Sequence, residues 1–197
     1  DGSTELFAGL LSGATMVLAD DAASRDVDAL ADLVVAHGVH QLTAVPSLAE
    51  ALALSRPDAA RTVDTWFLSG EPLTAAVVAA LPDARVWNSY GSSEVAGDVA
   101  VWTAPDGAPA RVFVGRPVAG TTARILDARL RPVPDGVTGE LYVGGVQCAR
   151  GYLHRPDLTA SRFVADPDGA GNRLFRTGDL VRRTISGHIE FVSRVDD

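Results

Sequence analysis

The feature that most constrains this chain is an alternation. Through about its first hundred residues, short apolar runs and helix-period stretches follow one another with brief connections. Glu5–Leu11 carries apolar residues at helical spacing and stops at Gly13, a helix C-terminal signal. Thr15–Ala19 predicts a short buried strand. Asp26 stands as N-cap ahead of Val27, Leu30, Leu33 and Val34, and His37-Gly38 closes that helix. Gln41–Val45 predicts a strand, and Pro46-Ser47 opens a helix containing Leu48, Leu52 and Leu54. Thr65–Leu68 reads as a strand ending in Ser69-Gly70-Glu71-Pro72, Thr74–Leu81 as a helix and Arg85–Asn88 as a strand. Strands alternating with helices over short connections argue for an α/β layer with a largely parallel sheet.

The pattern changes near Ala104-Pro-Asp-Gly-Ala-Pro109. Turn residues now separate short β runs at Val112–Val114, Thr122–Asp127, Glu140–Val143, Leu174–Arg176, Leu180–Arg183 and His188–Val192. Asp135-Gly136 and Ser186-Gly187 are hairpin signals, and Pro156–Phe163 is the one helical stretch. The expected fold class is α/β: a parallel-rich sheet with flanking helices, residues 1–105, followed by a small distorted β-barrel subdomain, residues 106–193.

The 197 residues suffice for one large or two small domains, and a hydrophobic fraction of 47% supports a sizeable core. A net charge of −8 leaves no basic footprint for nucleic acid or an anionic membrane. No apolar run approaches the roughly 20 residues of a membrane span, and no basic-then-apolar start resembles a signal peptide. The single cysteine, Cys148, excludes an internal disulfide and, with scattered histidines, offers no zinc spacing. These traits predict a soluble cytoplasmic protein. The abrupt ends, Asp1-Gly-Ser-Thr-Glu and Arg194-Val-Asp-Asp197, read as those of a piece of a longer polypeptide.

One stretch carries chemistry. The run Ala84–Trp87 leads into Asn88-Ser-Tyr-Gly-Ser-Ser-Glu94, which breaks on an aromatic, a glycine, two hydroxyls and a carboxylate. A strand ending in such a turn sets backbone N–H groups and small hydroxyls beside one acid, a combination that can hold a phosphate and its metal ion. An ordinary polar turn is the competing reading. Ligands on such sheets bind at the carboxyl ends of the strands. Thr43, Ser69-Gly70 and Asn88–Glu94 are three such ends, expected to converge on one crevice.

Several phrases together resemble one family. Asn88-Ser-Tyr-Gly-Ser-Ser-Glu94 resembles the Asn-x-Tyr-Gly-Pro-Thr-Glu motif of the amino-acid adenylation domains of nonribosomal peptide synthetases. Gly139-Glu-Leu-Tyr-Val-Gly-Gly145 with Ala149-Arg-Gly-Tyr-Leu153 resembles their next motif, and Phe175-Arg-Thr-Gly-Asp-Leu180 their Tyr-Arg-Thr-Gly-Asp-Leu. Ser193-Arg-Val-Asp196 resembles the Gly-Arg-x-Asp that opens their hinge, and Asp1-Gly-Ser-Thr-Glu-Leu-Phe7 the Phe-Asp-x-Ser that begins their substrate pocket. Order and spacing agree over essentially the whole chain. Such domains use ATP and Mg²⁺ to turn an amino acid into an aminoacyl-AMP, then pass the acyl group to a carrier protein's phosphopantetheine thiol. The partners implied are that carrier protein domain, the rest of the adenylation domain and an MbtH-like protein.

By that resemblance Glu94 is the Mg²⁺ ligand, a hard carboxylate oxygen, and forms the catalytic pair with Ser93, whose hydroxyl meets a phosphate oxygen. Ser92 replaces the family's proline. Tyr90 and Gly91 flank the adenine, Asn88 lies near its exocyclic amine, and Gly70 lets it pass close to backbone that a side chain would obstruct. Asp179 accepts from both ribose hydroxyls, and Arg194 adds a ribose or phosphate contact. Asp196 marks the hinge, so 194–197 begin the link to a C-terminal domain. Thr43, Phe67, Ser69, Ser89, Gly97 and Asp98 line the amino-acid pocket, and Asp1 pairs with the substrate's α-ammonium. The stretch from Asp1 to Gly13-Ala14 is shorter than the family's. Either Asp1 is that aspartate or it sits one place later, and the next pocket position is Thr4 or Glu5.

A buried Asp98 is costly unless paired, which favours a cationic or hydrogen-bonding substrate side chain; the other reading turns Asp98 to water or a backbone N–H. Gln147 and Cys148 depart from the commoner Gly-Leu at a position expected to be structural. Cys148 has no neighbour that would lower its pKa and make it a nucleophile.

The family's phosphate-binding loop lies upstream of Asp1 and its catalytic lysine beyond the hinge, so the chain by itself is expected to be inactive. Two other readings stand beside this one. The chain is a non-catalytic subdomain or scaffold with weak ligand binding, or it is a relative of the acyl-CoA synthetases.

Overall fold

The computed structural model describes residues 3–169 and 171–196. Asp1, the expected partner of the substrate's ammonium, lies outside them. The chain divides into two compact units: residues 1–88 with 103–112, and residues 89–102 with 113–197.

The first unit opens with α1 (Ser3–Leu11) and α2 (Val27–His37). Asp26 caps α2 as its sequence position predicts, its carboxylate accepting from the N–H groups of Asp28 and Ala29 at 2.9 Å. Gly38 ends the helix in the left-handed conformation, φ 57°. Next come β1 (Gln41–Ala44), α3 (Pro46–Ser55), α4 (Pro57–Thr62), β2 (Thr65–Leu68), α5 (Ala75–Ala79) and β3 (Arg85–Ser92). β1 and β2 pair in parallel, as do β2 and β3, with Ala44 opposite Leu68 and Leu68 opposite Asn88. Alternation along the strands sends Trp66, Leu68 and Val86 into the core, where Ala31, Val34, Leu52, Val77 and Leu81 are also buried. Residues 103–112 return to this unit, with the Ala104 N–H donating to the Val86 carbonyl at 2.8 Å.

The expected strand at Thr15–Ala19 does not form. Residues 14–20 lack regular structure, and Leu18 is 79% exposed. A strand is held by a neighbouring ladder, and among the described residues β1 pairs with β2 alone.

The second unit takes the end of β3, a 3₁₀ turn at Ser93–Val95, and then β4 (Gly97–Thr103) up to Trp102. β5 (Arg116–Pro117) pairs antiparallel with β4. The curled antiparallel sheet follows, built from β6 (Thr121–Leu126), β7 (Gly139–Gly145), β8 (Phe163–Ala165), β9 (Arg173–Arg183) and β10 (Ile189–Arg194). Its order is β10-β9-β7-β6, with β8 also on β9. α6 (Pro156–Arg162) precedes β8. Val95, Val99, Val114, Ile125, Leu141, Phe163, Phe175, Val181 and Ile189 form the core of this unit.

Three details differ from expectation. β3 runs on through Ser92, so most of the Asn88–Glu94 motif is strand and the turn begins only at Ser93. β4 has no counterpart among the expected β runs, whereas Val112–Val114 forms no strand. The runs Leu174–Arg176 and Leu180–Arg183 are one strand, β9, interrupted by a bulge. Glu140 pairs with Leu180 and Tyr142 with Arg176, so Thr177, Gly178 and Asp179 all stand opposite Leu141. Gly178 adopts φ 82° there, and the Thr177 hydroxyl donates to the Leu141 carbonyl at 2.8 Å. A glycine and a threonine thus make the bulge affordable in backbone strain and hydrogen bonding. Among the described residues no helix is long and apolar enough to cross a membrane.

Candidate functional site

In the first unit the carboxyl ends of three parallel strands stand side by side. Thr43, Phe67 and Trp87 form one cross-strand row, and the rings of Phe67 and Trp87 stack at 5.7 Å. Asn88 is buried at the end of the next row, and the Ser69 N–H donates to the Ala44 carbonyl at 3.1 Å. Gly70 has φ 85°, and a Cβ there would meet Val45 Cγ1 at an ordinary 3.6 Å. Within this unit its conformation, not crowding, calls for glycine. Glu71 accepts from the Ser47 N–H and hydroxyl, both at 3.0 Å, which caps α3 from the loop after β2.

In the second unit the β9 bulge aims Asp179 inward, where it is 6% exposed. The Tyr90 hydroxyl donates to its Oδ2. Arg194 stands opposite Asp179 across a second bulge, in β10, and donates from Nη1 to Oδ1 at 2.7 Å. Arg194 also donates from Nε to Asp196 at 3.1 Å. The Asp179 N–H is taken by the Thr177 hydroxyl at 3.0 Å. Burial first, and then the facing Asp179 carboxylate, push the Tyr90 phenol well above its usual range. Tyr90 therefore stays a hydrogen-bond donor at any working pH. Asp179 is held by a charge-assisted bond on one side and a phenol on the other.

Glu94 lies in the 3₁₀ turn after β3 and is partly exposed. The Tyr152 hydroxyl donates to its Oε1 at 2.7 Å, and the Ala149 N–H donates to its backbone carbonyl at 2.9 Å. The segment 149–152 therefore grips this residue at side chain and backbone alike. Burial, the largest single influence, works to raise the Glu94 pKa, but hydrogen bonds from Tyr152 and a backbone N–H, the Ser92 hydroxyl and the Arg162 charge together outweigh it, and the carboxyl sits below its usual range. The Tyr152 phenol is pushed up to about 12 by burial and by Glu94. A depressed folded-state pKa contributes stability that is present above the unfolded pKa and is lost as pH falls through the folded one. Tyr152→Phe therefore raises the Glu94 pKa and moves the acid-side loss of stability to higher pH. Carbon-13 titration of the Glu94 carboxyl checks this; an unmoved midpoint contradicts it.

Gly91 sits flat against β4. A Cβ there would come within 1.8 Å of the Gly97 carbonyl oxygen and 2.9 Å of the Asp98 Cα. Ser89 is buried, Ser93 is exposed and Gly97 has φ 99°. Asp98 is exposed. Cys148 is half-buried, and burial pushes its thiol up despite the opposing Arg173 charge, which suits a packing residue and not a nucleophile.

The second unit thus brings Tyr90, Asp179 and Arg194 into one contact chain and sets Glu94 on Tyr152. The first unit gathers Thr43, Phe67, Ser69, Gly70 and Asn88 at its strand ends. Sequence reasoning missed Tyr152 and Thr177 as hydrogen-bond partners of Glu94 and Asp179. Both lie inside the quoted motifs, which was the available signal. Among the described residues no group of three or more His, Cys, Asp or Glu gathers as a metal centre. A lone anionic carboxylate such as Glu94 fits Mg²⁺ that arrives already bound to phosphates, since that ion commonly takes one or two protein carboxylates and keeps other oxygens.

Comparison with known proteins adds an independent line. Residues 2–153 match the profile of the family described as AMP-binding enzyme. The chain is 43% identical over 201 residues to phosphinothricin tripeptide synthetase PhsB of Streptomyces viridochromogenes, covering 98% of this chain and 17% of that protein. It is 42% identical over 206 residues to enterobactin synthase component F of Escherichia coli K12, covering 98% of this chain and 16% of that protein. The chain therefore spans about a sixth of the length of these curated relatives. Among solved structures, CmiS6 superposes with a TM-score of 0.85 at 30% identity, over 94% of this chain and 48% of that one. An artificially fused adenylation–PCP di-domain from Klebsiella oxytoca, NpsA-ThdA, superposes with a TM-score of 0.77 at 25% identity, over 86% and 35%.

Proposed function

This chain belongs to the AMP-binding enzyme family, and from that premise we propose that it is part of an amino-acid adenylation domain of a nonribosomal peptide synthetase. That domain selects an amino acid, activates it with Mg-ATP and loads it onto the phosphopantetheine thiol of a carrier protein. In the first step a carboxylate oxygen attacks the α-phosphorus. An O–P bond forms, the bond to the bridging oxygen breaks, and pyrophosphate leaves with its electron pair. In the second the thiolate attacks the acyl carbon and AMP leaves. Both steps ask the protein to position reactants and to stabilise charge.

The observation that carries this reading is the buried Asp179, aimed inward by a bulge and gripped by Tyr90 and Arg194. An ionised carboxylate has about four lone-pair sites, so two remain for a pair of ribose hydroxyls. In the second unit we assign Asp179 and Arg194 to the ribose, Tyr90 and Gly91 to the adenine, and Ser93 to a phosphate oxygen. Glu94 holds the Mg²⁺, which when bound offsets phosphate charge. Ser89, Gly97 and Asp98 contact the amino acid, and Asp196 begins the hinge. In the first unit we assign Asn88 and Gly70 to the adenine and Thr43, Phe67 and Ser69 to the amino acid.

All 17 basic residues of the chain are arginine, so it contains no lysine. The lysines of the family's phosphate loop and catalytic site are not supplied by these residues, and the isolated chain is expected to be inactive. Amino-acid-dependent exchange of labelled pyrophosphate into ATP, measured on the full-length protein, tests the proposal. Exchange with amino acids supports it. Exchange with fatty or aryl acids alone points instead to an acyl-CoA synthetase relative, and no exchange with any acid overturns it.

A further inference from the structure

Gln147 lies just after β7, at a position where the sequence pattern departs from its family. Both ends of its side-chain amide are used. Oε1 accepts from the Thr121 hydroxyl at 2.8 Å, and Nε2 donates to the Asp98 carbonyl at 3.0 Å. That pairing fixes which way the amide points, because a hydroxyl can donate to its oxygen while a carbonyl needs its N–H. The Asp98 main chain is therefore held from two directions. On one side Gly91 presses its bare Cα against Gly97 and Asp98, with no room for a side chain. On the other, Gln147 ties Asp98 to the start of β6. The Asp98 carboxylate itself is exposed, so its direction follows from the backbone beneath it. Asp98 lies near the start of β4, which neighbours β3, while the β4 ladder to β5 begins only at Ala100.

We infer that Gln147 is a positioning residue for amino-acid selection, which sets where the Gly97–Asp98 wall stands by bracing the Asp98 carbonyl against Thr121. The inference rests on the proposed role of Asp98 in contacting the substrate. Gln147 touches no substrate itself. Its loss lets the Asp98 backbone relax and blurs discrimination among amino-acid side chains, while nucleotide use, which depends on Tyr90, Asp179 and Arg194, is left alone.

Pyrophosphate exchange on the full-length protein, run across a panel of cationic, neutral and anionic amino acids, tests this with three variants. Gln147→Met keeps the length of the side chain and removes both hydrogen bonds. Gln147→Glu keeps the acceptor for Thr121 and removes the donor to Asp98. Asp98→Ala tests the underlying reading. Both Gln147 variants are expected to raise the KM of the best amino acid about tenfold, the size of one lost hydrogen bond. They also flatten the ranking across the panel and leave the ATP KM within about twofold, a split that general loosening of the fold would not give. If Gln147→Met fails to fold by its thermal transition, Gln147→Glu carries the test. An altered ranking in Asp98→Ala with a wild-type ranking in Gln147→Glu overturns the inference about Gln147. An unaltered ranking in Asp98→Ala overturns the role of Asp98 and the inference with it.

Discussion

Gly115→Ala is expected to cost the second unit about 3–5 kcal/mol, the sum of a strained left-handed backbone and a severe overpacking. Gly115 has φ 111°, and a Cβ there would stand 2.1 Å from both the carbonyl carbon and the carbonyl oxygen of Val101. Those atoms are backbone in a strand pair, so no flexible side chain can give way. The position is also pinned from its other side. The Val114 N–H donates to the Ile189 carbonyl at 2.9 Å, and the Ile189 N–H donates to the Gly115 carbonyl at 2.8 Å. Any shift that relieves the clash breaks this bridge between the β5 segment and β10. Against a typical domain stability of roughly 5–15 kcal/mol, such a loss removes a large share of the margin. Gly136→Ala is the control: its φ is 84°, but a Cβ there meets nothing within 4 Å. It should show only the conformational cost of about 1 kcal/mol. Urea unfolding followed by tryptophan fluorescence separates the two. Equal midpoints for both variants contradict the account.

Asp179→Asn is expected to lower kcat/KM for ATP by about 10²–10³-fold in the full-length protein, because each hydrogen bond to a charged group is worth roughly 1.5–3 kcal/mol. The loss should appear mostly in the ATP KM, since the carboxylate is assigned to the ribose and not to the reacting phosphorus. The substitution conserves size and retains one acceptor. It also turns an amide N–H₂ toward either Tyr90 or Arg194, both of which are donors to this carboxylate. A donor facing a donor is unfavourable, so the thermal transition should drop as well. Pyrophosphate exchange as a function of ATP concentration is the measurement. An unchanged ATP KM with a lowered transition temperature would reduce Asp179 to a structural role.

The periodic elements were legible in the sequence. The Asp26 cap and Gly38 stop bound α2 as expected, and the runs that became β1, β2, β6 and β7 carry enough apolar character to be seen locally. What was not legible depends on distant neighbours. Gly91 and Ser92 are poor strand formers, yet β3 continues through them because Gly91 lies flat on Gly97. Thr15–Ala19 has strand-like composition but no ladder beside it. The Thr177-Gly178 interruption read as a gap between two strands, whereas it is a bulge within one.

The site divides in the same way. The motif positions of Tyr90, Glu94, Asp179 and Arg194 could be named from resemblance. The contacts among them could not, since Tyr90 meets Asp179 across 89 residues and Tyr152 meets Glu94 across 58. Gln147 reaches Asp98 across 49 residues, which is why its position read as merely structural. Whether Asp98 is buried or turned to water was left open by the sequence, because residue type and motif say little about whether a strand's first side chain faces core or solvent.

The central claim is that the β3 motif, the β9 bulge and the end of β10 together serve the nucleotide. Hydrogen exchange of the full-length protein, with and without a non-hydrolysable ATP analogue and Mg²⁺, tests it most directly. The account predicts slower exchange at residues 89–95, 177–180 and 193–196 when the analogue is bound. Protection confined to other segments, with these three unchanged, would contradict it.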